Sequence, residues 1–104
     1  MLMHIVFWRF KDEACGHSKK ENMEIVKNGL LSLKGKVPSL VSAEVGFDVL
    51  GTPASSDMSL ICTFVDLDGF IAYRDHPEHQ KVLKYLGEVI EERKVIDYYF
   101  GQDE

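Results

Sequence analysis

The sequence contains few residues of several types, and each shortage excludes a class of protein. It has two cysteines, Cys15 and Cys62, without CxxC spacing, so neither a disulfide framework nor a cysteine-rich zinc site is indicated. A disulfide between the two stays possible, but a reduced, cytoplasmic protein is the expectation. With three prolines and eight glycines in 104 residues, there is no sign of repeats or disorder and no glycine-rich phosphate loop.

Positive charge and long apolar runs are also scarce. The 12 basic residues are outnumbered by 17 acidic ones, giving a net charge of -5, so we expect no nucleic-acid partner. No stretch approaches the roughly 20 apolar residues that cross a bilayer, and no membrane association is expected. The opening MLMHIVFWRFKDE lacks a basic start and is interrupted by Arg9, so we do not expect a signal peptide.

What remains is the composition of one globular domain. Hydrophobic residues make up 45% of the chain and charged residues 28%, a balance typical of folded proteins. The length predicts a single domain over residues 1–104. Such a chain buries about two thirds of its unfolded surface, which is enough for one core.

The first half of the chain predicts a strand, a helix and a strand. Residues 3–10, MHIVFWRF, are rich in β-formers and apolar on both alternating faces, as in a strand covered on both sides. Ser18 and Glu21 match a capping box, and helical spacing of apolar residues predicts a helix over 19–34. Residues 40–50, LVSAEVGFDVL, alternate cleanly and predict a strand with one buried face.

The second half predicts one more strand, two helices and a final strand. Residues 58–65, MSLICTFV, predict a strand antiparallel to the preceding one. A short helix over 66–73 and a longer one over 77–92 follow, with Pro77 at the first position of the second. KVIDYYF, residues 94–100, predicts the last strand, before a frayed tail.

The order β-α-β-β-α-β, with a split second helix, predicts a ferredoxin-like α+β fold with a four-stranded antiparallel sheet. The helices cover one face of that sheet. The other face still carries apolar and aromatic side chains on the first, third and fourth strands, a patch too large to leave in water. We therefore predict a homodimer that pairs through the open sheet faces, as a dimeric α+β barrel.

A histidine and an aspartate near the end of the chain are candidates for a site. His79 lies on the apolar stripe of the last helix together with Val82, so its imidazole faces the sheet and needs a partner. Asp97 interrupts an apolar strand and is the predicted partner. Such a contact fixes the imidazole tautomer and raises its basicity, as a general base requires. Tyr73 is placed to donate its hydroxyl to a developing oxyanion.

Each of these features also has a purely structural interpretation. A bond between His79 and Asp97 can tie the helix to the sheet, worth about 1.5–3 kcal/mol when charge-assisted. His76 is interpreted mainly as the cap of the helix that begins at Pro77. His4, His76 and His79 lack the HxH or HxxxH spacing of a zinc site, so no metal is predicted.

Four segments together resemble the stress-responsive A/B barrel (Dabb) family: HIVFWRFKDE, LKGKVPSLVSAEVGFDV, AYRDHPEHQKV and KVIDYYF. The resemblance runs over nearly the whole chain, and HPEH with the final IDY is its most specific part. It implies a dimeric α+β barrel. The family includes plant stress-induced proteins, bacterial members of no assigned activity and, more distantly similar, the plant olivetolic acid cyclase, which closes a linear polyketide by aldol condensation.

The resemblance also implies roles for individual residues. Tyr73 and His79 match the catalytic pair of the plant cyclase, and Asp97 matches the aspartate that orients its histidine. Four residues are predicted to line a ligand cavity: His4, Phe7, His76 and Val82. The first helix, MEIVKNGLL, offers aliphatic side chains where the cyclase has aromatic ones, so a polyketide-shaped cavity is not expected. Some plant members hold magnesium through backbone carbonyls after this helix, and KGKVPSL leaves that open.

Fold alone carries no chemistry, so two classes of function stay open. The first is a protein of unassigned activity that binds a small apolar ligand between sheet and helices, without a cofactor. The alternative is a cofactor-independent cyclase or isomerase that acts by proton abstraction with a His-Asp base. A small monooxygenase of the same superfold is a further alternative.

Overall fold

The computed structural model describes residues 1–101 and has the predicted order of elements, with one additional small hairpin. The elements are β1 (Leu2–Phe10), β2 (Glu13–Ala14), β3 (His17–Ser18), α1 (Lys19–Ser32), β4 (Ser42–Phe47), β5 (Met58–Phe64), α2 (Leu67–Asp75), α3 (Pro77–Val89) and β6 (Ile90–Tyr99). A short 3-10 turn, Leu33–Gly35, ends α1.

Four strands form one antiparallel sheet in the order β4-β5-β1-β6. The helices lie on one face, and the side chains of β1 that point towards them are buried, as for Val6, Trp8 and Phe10. This is the predicted ferredoxin-like α+β fold with a four-stranded antiparallel sheet. None of the helices in residues 1–101 has the length and apolar character needed to cross a membrane.

The opposite face of the sheet carries a row of apolar side chains, as predicted. Ile5 on β1 lies directly between Ile61 on β5 and Ile96 on β6. Phe7 and Tyr98 lie on the same face, and both are exposed in the single chain. We call this surface, defined by Ile5, Phe7, Ile61, Ile96 and Tyr98, the open face.

The predicted starts of α1 and α3 are confirmed. Ser18 Oγ accepts a hydrogen bond from the Glu21 backbone N–H, while the Glu21 carboxylate accepts one from the Ser18 N–H, which completes a capping box. At α3, His76 Nδ1 accepts the N–H of Glu78 at 3.1 Å and Pro77 is the first helical residue. The break between α2 and α3 therefore has a local cause, which fixes the positions of the side chains on either side.

The hairpin β2–β3 was not predicted, because its residues have the composition of a loop. Cys15 and Gly16 form its two-residue turn, with φ of 54° and 78°. Two successive positive φ values are the signature of a type I′ turn, which matches the twist of paired strands. Gly16 adopts this conformation freely, whereas Cys15 adopts it at some cost.

Three predicted boundaries were wrong by three or four residues. The last helix ends at Val89 rather than residue 92, and β6 begins at Ile90, because the long strand β1 offers pairing partners as far as Phe10. The strand predicted over 40–50 is shorter and ends at Phe47, since the Asp48 carboxylate accepts the N–H of Gly51 at 2.6 Å and turns the chain.

Candidate functional site

A cavity of about 120 Å³ lies between the sheet and the helices. Trp8 and Leu60 line it from the sheet, while Leu30 and Leu83 line it from α1 and α3. Its polar lining comes from five side chains: His4, Tyr73, Arg74, His79 and Arg93. An apolar cavity of about 150 Å³ holds a benzene molecule, so this space suits a molecule of few heavy atoms rather than a polyketide chain.

His79 faces this cavity from α3 and is 8% exposed. Its Nδ1 lies 3.1 Å from the backbone carbonyl of Arg74, and because a carbonyl only accepts, Nδ1 carries the proton. Nε2 is then the acceptor nitrogen, and nothing within residues 1–101 hydrogen-bonds to it. Burial lowers the pKa of His79, the Arg74 carbonyl opposes this, and the charges of His4 and Arg93 lower it further. The imidazole is therefore neutral near pH 7.

Tyr73 stacks beside His79 from α2. The two ring centroids are 4.1 Å apart, with 33° between the ring planes. Burial raises the pKa of the Tyr73 hydroxyl, and the neighbouring Cys62 raises it further, so the group stays protonated and can donate. The Cys62 Sγ lies 4.0 Å from that oxygen, a weak contact, and burial raises the pKa of Cys62 to about 12. Cys62 is thus a thiol rather than a nucleophilic thiolate.

The predicted contact between His79 and Asp97 is wrong. Asp97 instead pairs with His4, whose Nδ1 lies 2.5 Å from its carboxylate oxygen. The reason is strand register: His4 and Asp97 are directly opposite in the β1–β6 ladder, so their side chains share a face and lie side by side. His79 has already satisfied its Nδ1 at the Arg74 carbonyl. A histidine–aspartate pair exists, but the histidine is on β1.

Three of the four residues predicted to line the cavity do not line it. Phe7 is on the open face, because side chains alternate along β1 and its neighbours in the cavity are His4, Val6 and Trp8. Val82 packs against α1 at Gly29, where an added Cβ would meet it at 3.4 Å. The His76 imidazole is occupied in capping α3. Of that set, only His4 lines the cavity.

Sequence reasoning missed Trp8, Arg74 and Arg93. Trp8 lies on the same face of β1 as His4, so alternation alone was a sufficient signal for it. Arg93 fell between the helix predicted over 77–92 and the strand predicted over 94–100, and only the true start of β6 places it opposite Trp8. Arg74 lines the cavity from the last turn of α2.

The candidate site offers few ligands for a metal. Within residues 1–101, no group of three or more His, Cys, Asp or Glu side chains is placed to hold an ion. His4 and His79 share the cavity, but each has one ring nitrogen engaged, with Asp97 and with the Arg74 carbonyl respectively. The chemistry on offer is that of a neutral acceptor nitrogen beside a neutral hydroxyl donor, within an apolar space.

Comparison with protein families finds one match and no close relative among curated proteins. The model of the Stress responsive A/B Barrel Domain (Dabb) matches residues 2–100. No curated protein matches the chain significantly.

Solved structures of the same fold include a protein of unknown function, a lyase and a candidate monooxygenase. A dimeric ferredoxin-like protein of unknown function from Thermobifida fusca is 24% identical, with a TM-score of 0.81 over 95% of this chain and 90% of that one. A hydroxynitrile lyase from Passiflora edulis is 17% identical, with a TM-score of 0.83 over 97% and 94%. A candidate antibiotic biosynthesis monooxygenase from Nitrosomonas europaea is 14% identical, with a TM-score of 0.74 over 96% and 98%.

Proposed function

We propose that this chain, which belongs to the stress-responsive A/B barrel (Dabb) family, binds a small, largely apolar molecule in the cavity between sheet and helices. One observation carries this proposal. Polar side chains from three separate elements, His4 on β1, Tyr73 on α2 and His79 on α3, converge on one small space whose other walls are aliphatic and aromatic. Ligand sites are built in this way, with a few placed polar groups in an apolar cleft.

The first test is a screen of small β-ketones and aromatic acids by thermal shift, followed by calorimetry. A ligand at about 100 times its Kd adds about 2.7 kcal/mol to the free energy of unfolding, which raises Tm measurably. Leu83→Trp puts a larger side chain into the cavity and is expected to weaken binding at least about tenfold. Leu67→Trp, at a residue that is 51% exposed on α2, is the matched control and should bind as the wild type does. Undiminished binding to Leu83→Trp would contradict the proposal.

Proton transfer is a second candidate function, favoured by the state of His79. Its Nε2 is an acceptor that no residue in 1–101 engages, and it lies in a ring stacked on that of the hydroxyl donor Tyr73. Such a pair can remove a proton alpha to a carbonyl while the Tyr73 hydroxyl donates to the oxygen that gains charge. A cyclase or an isomerase works in this way. The hydroxynitrile lyase of the same fold is consistent with lyase chemistry on this architecture.

Proton transfer is tested by following α-proton exchange of a bound small ketone into deuterated water by NMR. His79→Gln is expected to slow exchange about 10²- to 10⁴-fold, the usual contribution of a general base. Because burial lowers the pKa of His79, the neutral base persists on acidification, and the exchange rate should hold its plateau to below the ordinary histidine value of about 6.5. His17→Gln, at an exposed histidine, controls for the loss of one imidazole. Equal exchange in wild type and His79→Gln would rule His79 out as the base.

The monooxygenase alternative gains no support from a particular residue of the site and stays a prediction. The base in the proton-transfer candidate also differs from the one predicted, because Asp97 is paired with His4 and does not orient His79. Any proton that His79 accepts is therefore stabilised through the Arg74 carbonyl alone among residues 1–101.

We also propose that two copies of the chain pair through the open face. Ile96 is 54% exposed and Phe7 41%, and both belong to an apolar surface that spans three strands. Patches of this kind in a small soluble protein mark an interface. The Thermobifida fusca neighbour is described as dimeric, which supports the proposal. Pairing through this face leaves the cavity on the opposite side of each sheet.

A further inference from the structure

We propose that the ligand of the cavity is a small monocarboxylate, whose carboxyl group is held by the Arg93 guanidinium and the Trp8 indole N–H. This inference rests on the proposed function, that the cavity binds a small molecule, and names the chemical class of that molecule. Two unpaired donors, the arrangement that brings them together, and the sign of charge around the cavity support it.

The first unpaired donor is the indole of Trp8. This side chain lines the cavity and is 2% exposed, yet its Nε1 has no acceptor among residues 1–101. A buried polar hydrogen left without an acceptor costs about 1–3 kcal/mol, which is why such groups are rare in folded proteins. An acceptor oxygen brought in by a ligand removes that cost.

The second unpaired donor is Arg93, and its neighbour Arg74 provides a contrast. Both arginines are among the residues that line the cavity. Arg74 is already engaged, since its Nε and Nη2 donate to the two carboxylate oxygens of Asp75 at 2.9 Å and 3.1 Å. Arg93 has neither an ion pair nor a hydrogen bond from its side chain within residues 1–101. A free guanidinium is a fork of donors suited to a carboxylate.

Strand pairing brings the two donors to the same place. Trp8 and Arg93 are directly opposite each other in the β1–β6 ladder, so their side chains leave the sheet on the same face. The Cβ atoms of such a pair lie about 4.5–5.5 Å apart, which is close enough for both donors to reach one carboxylate. Trp8 is buried and Arg93 is exposed, so the donors stand at the inner wall and at the mouth of the cavity.

The charge around the cavity has the sign that a carboxylate requires. The chain as a whole carries a net charge of -5, yet no Asp or Glu of residues 1–101 lines the cavity. The nearest acidic group of the β1–β6 ladder on this face, Asp97, is held by His4. The two permanently charged residues that line the cavity, Arg74 and Arg93, are both basic. A basic lining in a chain of net negative charge favours a small anion at this place.

The size of the cavity limits the rest of the molecule. About 120 Å³, walled by Leu30, Leu60 and Leu83, accepts a short branched or cyclic hydrocarbon. Isobutyrate and cyclopropanecarboxylate are therefore suitable probes. Isobutyramide and cyclopropanecarboxamide have nearly the same shape without the charge.

The experiment measures the affinity of the four probes by titration calorimetry on the wild-type chain, Arg93→Gln and Arg74→Gln. Each acid is expected to bind the wild type about 10- to 100-fold more tightly than its amide, the range for one charge-assisted hydrogen bond. Arg93→Gln should abolish this preference, with the larger loss of affinity falling on the acid. Arg74→Gln is the matched control and should retain the preference. Trp8 is the single tryptophan, so its emission reports whether each probe reaches the cavity.

The outcomes separate this inference from the proposed function. If acid and amide bind equally well to the wild type, or if Arg74→Gln loses the preference as fully as Arg93→Gln, the carboxylate assignment is wrong while the cavity still binds a small molecule. If none of the four probes binds or alters Trp8 emission, the carboxylate assignment is wrong, and the ketone screen decides separately whether the cavity binds a small apolar molecule. A preference lost only in Arg93→Gln supports the assignment.

Discussion

Ile96→Glu is expected to convert the protein from a dimer to a monomer at micromolar concentration. Ile96 lies in the apolar row of the open face, opposite Ile5. Replacing it removes about 1.5–3 kcal/mol of apolar burial, and an unpaired carboxylate buried at an interface adds about 3–5 kcal/mol more. A two-fold interface carries each substitution twice. The total exceeds about 6 kcal/mol, or roughly 10⁴-fold in Kd, which light scattering coupled to size exclusion detects.

Val95→Glu is the matched control for Ile96→Glu. Val95 is the adjacent residue of β6 and is 44% exposed, but its side chain lies on the helix-covered face, opposite Val6. The same charge is thus added one residue away, on the other side of the sheet. We expect Val95→Glu to remain a dimer. A dimeric Ile96→Glu, or a monomeric wild type, would show that the open face is not the interface.

Phe64→Ala is expected to lower the free energy of unfolding by about 3–5 kcal/mol, measured by urea denaturation. Phe64 on β5 is fully buried, with its ring against Phe70 (centroids 5.7 Å apart) and against Tyr73 (5.1 Å). Native domains are stable by about 5–15 kcal/mol, so this loss is a large share of the total. Since Phe70 and Tyr73 both line the cavity, ligand affinity should fall as well.

Phe64→Leu tests whether the loss of stability in Phe64→Ala comes from the missing ring contacts or from the missing apolar surface. Leucine retains most of the buried surface but not the ring contacts that hold α2 against β5, so it should cost clearly less than alanine. A cost below about 1 kcal/mol for Phe64→Ala would contradict the structural role given to this residue. A large cost with unchanged ligand affinity would show that α2 is held in place by other contacts.

The fold was predictable because its signals are local. Ser18 and Glu21 identify the start of α1 within four residues, and Pro77 identifies that of α3. Alternation in β1 separates the buried side chains from those of the open face, Phe7 among them. The hairpin at Cys15 and Gly16 was missed because a two-residue turn with two positive φ values has little compositional signal beyond its glycine.

The site was only half predictable, because its contacts depend on strand register. That His79 and Tyr73 face inwards follows from helical spacing within α2 and α3. The partner of Asp97 depends on which residue of β1 lies opposite it, a relation across 93 positions of the chain that no periodicity reveals. The same register brings Arg93 beside Trp8. Because the predicted start of β6 was four residues too late, Arg93 was not assigned to the strand.

The direct passage from α3 to β6 constrains how the length of this chain can vary. Val89 ends the helix and Ile90 begins the strand, so no loop lies between them to absorb an insertion. One extra residue at that junction would put Glu92 opposite Trp8 and Ile96 opposite His4, exchanging the two surfaces of β6. The connection between β4 and β5, residues 48–57, has no such constraint. Homologues that keep both the cavity and the dimer should therefore vary in length at 48–57 and not at the junction after Val89.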